Sequence, residues 1–337
     1  MQKPTIHQVA SRAGVSTTTV SRTINTPGLV DADTAGKVWA AIAELEYYPN
    51  SQARSLVSGR TRLLGLIVSD ITNPFFPEVI KGFEDVAAGQ GFDLLIGSTD
   101  YDPVKMSRCV RRMLERRVDG VAIMTSEMDD HLIEQLSRGK VPMVFLDVAT
   151  QYLKTPREGI ANISVNYESG INEAVDHLVS LGHRRIGFVS GPIHLRSASI
   201  RRQAFLRSLS RYSIHDQLIE QGDHRMEGGL AAATRLLQLS ERPTAILASN
   251  DLTAIGVMRG IQAAGLKVPG DISVVGFDDI WLARFTDPPL TTVRLSRTEL
   301  GLRAFHALVP DANSATVEDS AVDTRLVVRE TTRQLAL

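Results

Sequence analysis

A single cysteine, Cys109, stands among 337 residues. No disulfide can form within such a chain, which fits a reducing cytoplasm. Met106, Val110 and Met113 flank it at helical spacing, so the thiol is expected in a core. The sequence also lacks an apolar run of signal-peptide type and any stretch long enough to span a bilayer, so the protein is expected to be soluble and not exported. Its eight histidines show no metal-ligand spacing, which argues against zinc. A P-loop, a G-x-G-x-x-G turn, a nucleophile elbow and paired Cys or His clusters are all missing. No cofactor is implied, and nothing accompanies the acidic residues that would make them the acid–base pair of a sugar-cleaving enzyme.

The net charge is only -1, but it is unevenly spread. Lys3, Arg12, Arg22, Lys37, Arg54, Arg60 and Arg62 face four acids, Asp31, Asp33, Glu44 and Glu46, giving residues 1–62 a balance of +3 and the rest -4. A basic head on an acidic body suits nucleic-acid binding. Within that head, Thr5 to Gln8 has the form of a capping box for a short helix carrying Ile6, Val9 and Ala10, which stops near Gly14. Ser16 caps a second helix from Thr17 to about Asn25, with Val20 and Ile24 inward. Asp31 caps a third, with Ala35, Val38, Ile42 and Leu45 in register. Two short helices joined by a glycine turn and braced by a third form a helix-turn-helix. Its second helix enters the major groove N-terminus first, so Thr17 and Thr18 reach base edges. Arg22, one turn on, can donate two hydrogen bonds to a guanine. Taken alone, Ser16 and the threonines could be caps only and Arg22 a solvated charge.

From Leu63 the pattern changes to strands alternating with helices. Leu63–Val68, Asp93–Ser98, Gly120–Met124 and Val141–Leu146 read as buried parallel strands, and Arg185–Ser190, Ala245–Ala248 and Ile272–Phe277 form a second series. Two such lobes leave a cleft between them. Ligands of open α/β sheets bind beyond the carboxyl ends of strands. Asp70, Asn73, Asp147, Asn250-Asp251 and Asp278-Asp279 stand at those ends. Each could instead cap a helix, and Phe75-Phe76 could pack a helix's first turn.

The run Val9-Ala10 through Gly14-Val15-Ser16 to Asn25 resembles the DNA-binding head of the LacI/GalR repressors. Tyr48-Pro49-Asn50-Ser51-Gln52-Ala53-Arg54-Ser55-Leu56 is similar to the family's hinge, and Arg325-Leu326-Val327-Val328-Arg329-Glu330 to its closing strand. The resemblance covers nearly the whole chain. It implies a small all-α helix-turn-helix domain followed by α/β: a two-lobed, periplasmic-binding-protein-like sensor with parallel sheets. The expected division is a head over 1–48, a hinge helix and linker over 49–62, and a sensor over 63–337. The N-lobe takes about 63–162 and 293–312, and the C-lobe about 163–292 and 313–337.

The function so implied is a cytoplasmic, allosteric transcription regulator, a repressor that binds double-stranded operator DNA as a homodimer. On this reading Ser16, Thr17, Thr18, Ser21, Arg22, Asn25, Asn50 and Ala53 touch DNA, and Leu56 wedges into the minor groove at the central step. A small effector, whether sugar, nucleoside or purine-like, would meet Asn73, Phe75, Phe76, Asp147, Arg201, Asn250 and Asp278, with Arg196 a further candidate. Arg201-Arg202-Gln203-Ala204-Phe205 departs from the family's Arg-x-x-Gly-aromatic pattern at Ala204, which leaves the aim of Arg201 open. A carrier of small ligands is the other reading of such a sensor, and the N-terminal helices argue against it. The helix Pro74 to Gln90 is expected to join the dimer surface through Val79, Phe83 and Val86. A tetramer is not expected, because no leucine heptads follow Arg329-Glu330.

Overall fold

The computed structural model describes residues 4–26, 28–49, 59–125, 130–147, 159–310 and 321–335. The chain divides into two compact units, Met1–Thr61 and Arg62–Leu337. In the first, α1 (Ile6–Ala13), α2 (Thr17–Asn25) and α3 (Ala32–Glu44) close over Val9, Ala10, Val20, Val38 and Ala41. Each helix begins on a side-chain cap. Thr5 and Gln8 bond reciprocally, Ser16 Oγ accepts from Thr19 N at 3.1 Å, and Asp31 Oδ1 accepts from Thr34 N at 2.9 Å. Gly14 ends α1 at φ +69°, a left-handed angle that suits glycine and turns the chain sharply into α2.

The second unit holds two sheets. The first runs β2-β1-β3-β4-β5, all parallel: β1 Leu63–Val68, β2 Asp93–Ser98, β3 Gly120–Met124, β4 Met143–Leu146 and β5 Ile160–Ile163. The second runs β6-β12-β11-β10-β9-β7-β8, from β6 (Val165–Asn166), β7 (Ile186–Ser190), β8 (Leu218–Gln221), β9 (Ala245–Ala248), β10 (Ser273–Asp278), β11 (Thr291–Leu295) and β12 (Val322–Val327). Only the β11–β12 pairing is antiparallel. Helices cover both sheets: α4 (Phe75–Gly89), α5 (Pro103–Glu115), α6 (Asp130–Arg138) and α11 (Arg297–Leu308) on the first, and α7 (Tyr167–Ser180), α8 (Arg196–Arg211), α9 (Met226–Leu237) and α10 (Asp251–Ala263) on the second. The chain passes between lobes at Ser164, between β5 and β6, and again between β11 and α11. Its return to β12 runs through residues outside the described set.

Buried strands such as Leu63–Val68 carry apolar side chains on both faces, as a sheet covered by helices on both sides requires. Cys109 is buried on α5 beside Met106, Val110 and Met113, and burial raises its thiol pKa. One expectation is corrected here. Val79 and Phe83 of α4 do not face outward; both are fully buried in their own lobe, the Phe83 ring 5.8 Å edge-on from Phe305 of α11. Val86 packs half-buried against the same core. A helix lodged between a sheet and a second helix needs an apolar stripe wide enough for both, so the width of the stripe on α4 is used up inside its own lobe. Among the described residues no helix is long and apolar enough to cross a membrane.

Candidate functional site

On α2 of the head, Thr18, Arg22 and Asn25 are exposed, and their spacing puts them along one face. Thr17 and Ser21 are half-buried beside them. Ser16 acts as the cap, its hydroxyl engaged with Thr19. Asn25 Nδ2 bonds back to Ser21 O at 2.9 Å and Ser21 Oγ at 3.2 Å, which fixes the amide's orientation at the helix end. Asn50, Ala53 and Leu56 lie outside the described residues.

In the sensor, a cavity of about 640 Å³, counted with its open mouth, lies where the strand ends of the two sheets face each other. Asn73, Phe75, Phe76, Asp147, Arg201, Asn250 and Asp278 all line it. Arg196 does not: it is exposed, and its neighbours Leu195 and Ser197 form the wall instead. Ser69, Tyr101, Thr125, Tyr167 and His224 complete the polar lining without having been singled out in the sequence. Ser69, Tyr101 and Thr125 follow β1, β2 and β3, so the strand-end rule reaches them. Tyr167 and His224 follow β6 and β8, which are too short or too polar to read as strands from sequence.

Arg201 is the cation of the site. It is buried on α8, its Cζ 4.3 Å from the Phe277 ring centre and 4.8 Å from that of Tyr167. Cation–π contact on two rings fixes the guanidinium plane. Nη1 donates to Ser249 O, while the buried Nε finds no partner among the described residues. Asp278, at the end of β10, is equally buried, yet its carboxylate accepts no hydrogen bond from any described residue. Burial raises its pKa to about 6, against the pull of Arg201 and Arg297. A buried acceptor and a buried donor left unmatched are where a polar ligand gains most.

The remaining groups are more fully occupied. Asn250 caps α10 by accepting from Thr253 N at 2.9 Å, and its Nδ2 donates to His224 O at 3.1 Å. Asn73 Oδ1 accepts from Phe75 N at 3.0 Å, and the Phe75 and Phe76 rings meet edge-on at 5.2 Å. Burial, with Arg201 nearby, drives the His224 pKa down to about 3, so its ring is neutral. That ring occupies the space where a Cβ on Gly191 would stand, 2.1 Å from Nε2, so glycine is required there. Asp147 accepts from Val165 N at 3.0 Å and from the Tyr167 hydroxyl at 2.5 Å, and burial raises its pKa. Asp251 and Asp279 are structural: the first holds Ile280 N and Thr292, the second Arg294 and Arg329. Among the described residues no group of His, Cys, Asp and Glu could hold a metal ion.

A tri-helical head followed by two α/β lobes with a polar cleft defines a ligand-responsive DNA-binding regulator. Comparison with known proteins agrees. Residues 5–50 match the bacterial regulatory proteins of the lacI family, and residues 175–332 match a periplasmic binding protein-like domain. The chain is 35% identical over 336 residues to the HTH-type transcriptional repressor PurR of Photobacterium profundum, covering 98% of this chain and 99% of that one. It is 33% identical to catabolite control protein A of Priestia megaterium over the same shares of the two chains. Among solved structures, a Lac repressor dimer bound to operator and the anti-inducer ONPF superposes with a TM-score of 0.85 at 32% identity, covering 98% of this chain and all of that one. The chain belongs to the lacI family of bacterial regulatory proteins; it is a transcription regulator and not an enzyme.

Proposed function

We propose that this chain is a cytoplasmic repressor that binds a palindromic operator as a homodimer and changes its hold on DNA when a small polar effector fills the inter-lobe cleft. Unmatched Asp278 facing the same cavity as Arg201 carries this reading, because the pair offers an acceptor and a donor to one ligand. Phe75 and Phe76 supply apolar surface for a ring, and Asn73 and Asn250 supply further polar contacts. Asp147 holds the cavity wall in place, since both its oxygens already accept bonds. Sugars, nucleosides and purine-like rings all present hydroxyl or ring N–H groups of this kind.

In the head, Thr18, Arg22 and Asn25 would read bases, with Ser16, Thr17 and Ser21 beside them at the groove, while Asn50, Ala53 and Leu56 would serve the hinge. Thermal-shift screening against d-ribose, cellobiose, adenosine and hypoxanthine tests the sensor, because a ligand that binds only the folded chain raises its melting temperature by mass action. On this reading a compound that stabilises the chain also alters its affinity for a selected palindromic duplex, because effector and operator sites are coupled reciprocally through the chain. Stabilisation with no effect on DNA binding at saturation would remove the regulatory reading.

A further inference from the structure

Two sets of contacts converge on Tyr167, the first residue of α7 and the first helical residue after the Ser164 crossing. Its ring lies under the Arg201 guanidinium at 4.8 Å and 5.9 Å from the Phe277 ring. Its hydroxyl donates at 2.5 Å to Asp147, which stands at the end of β4 in the other lobe. The same carboxylate takes Val165 N, at the crossing itself, at 3.0 Å. Tyr167 is fully buried, and burial beside Asp147 raises its pKa well above the usual phenol value, so the hydroxyl keeps its proton and remains a donor.

We infer that Tyr167 is a positioning residue that couples the cavity's arginine to the relative setting of the two lobes: its ring aims Arg201, and its hydroxyl holds Asp147 of the opposite lobe to the crossing. An effector that pulls on Arg201 therefore loads the Asp147–Tyr167 bond directly. Hydrogen bonds between buried groups are among the stronger ones, so this bond weighs on lobe opening more than a surface contact does. The inference rests on the cleft being the effector site only for its biological meaning. Its test needs no effector, so the two readings can fail separately.

The test uses the full chain and a thiol reporter. Ser69 is buried in the cavity wall of the first lobe, and Ser69→Cys places a near-isosteric thiol there. The rate at which a charged methanethiosulfonate modifies this thiol follows opening of the cleft. Native Cys109, buried on α5 among Met106, Val110 and Met113 and absent from the cavity lining, reports general loosening in the same sample. Tyr167→Phe keeps the ring and removes the hydroxyl; it is expected to raise the rate at residue 69 on the order of tenfold and leave Cys109 unchanged. Asp147→Ala, which removes the acceptor, should raise it similarly, and the double variant should add little, because both break the Asp147–Tyr167 bond. Arg201→Met should also raise the rate, again less than additively with Tyr167→Phe. An unchanged rate in Tyr167→Phe, additive effects in the first cycle, or a parallel rise at Cys109 overturns the inference. An unchanged rate in Arg201→Met overturns its link to the arginine.

Discussion

Asp278 stands at φ +110° with a buried carboxylate that no described donor meets, a strained and poorly solvated arrangement that stability alone would not select. Raising a carboxyl from 3.8 to about 6 corresponds to about 3 kcal/mol favouring the neutral form. Since the folded value lies above the unfolded one, the stabilising contribution is whole below 3.8 and is lost as pH rises through about 6. Asp278→Asn should therefore melt higher than the parent at pH 7 by about 1–3 kcal/mol, with the gap closing towards pH 4. The same variant should lose its effector response while still binding operator. Melting curves at pH 4, 5, 6 and 7 check the first claim, and a pH-independent difference would contradict it. In the head, Arg22 is exposed on the face it shares with Thr18. Arg22→Ala is expected to cost about 1–3 kcal/mol of operator affinity and to relax specificity at one position per half-site. Selection from a randomised half-site would reveal it as a flattened preference there, whereas a uniform loss across sequences would mark Arg22 as a phosphate contact.

At the level of elements, each lobe relies on one pair of helices brought close by glycine. A Cβ on Gly301 of α11 would stand 2.5 Å from Val79 O and 2.6 Å from Phe83 N of α4; one on Gly256 of α10 would stand 2.0 Å from Met226 O of α9. Backbone atoms cannot yield as side chains do, so Gly301→Ala must push α4 away from α11. A loss of about 1–3 kcal/mol in urea unfolding is expected, and wild-type stability would show that the helices separate freely. This close packing was hidden in the sequence: Val79, Phe83 and Val86 gave the period of α4 correctly, but periodicity does not say what covers the face. What the sequence did carry follows the same logic. Caps at Thr5, Ser16 and Asp31 are local, so α1, α2 and α3 were legible almost to the residue. The fully apolar strands β1, β3 and β9 were legible for the same reason. β6 and β8, short or mostly half-buried, became visible only through their partners in the sheet. With them went Tyr167, which bonds to Asp147 of the other lobe, and His224, which packs on Gly191 and Asn250, distant in sequence within its own lobe.

For the whole molecule, one head of three short helices makes too few contacts for operator specificity, and a palindromic site calls for a two-fold partner. Since Val79 and Phe83 are spent in the core of their own lobe, the apolar anchor of a dimer has to come from other exposed side chains of the sensor. The 3-10 turn Trp281–Arg284 and the residue after it expose two large aromatics: Trp281 is 53% and Phe285 76% accessible, their rings 5.9 Å apart. A paired aromatic surface at this exposure is typical of an interface anchor and unusual in a lone soluble chain. The turn follows Asp278 and Asp279 directly, so a partner seated there would feel changes at the cleft through two or three residues of backbone. Sedimentation at micromolar concentration should give about twice the 36.8 kDa chain mass. Phe285→Glu should shift it towards the monomer by placing a charge in a desolvated contact. Operator affinity should fall with it, while the melting of the isolated chain, in which Phe285 is exposed, stays close to that of the parent. A Phe285→Glu protein that still sediments as a dimer at nanomolar concentration would move the interface to another face of the sensor.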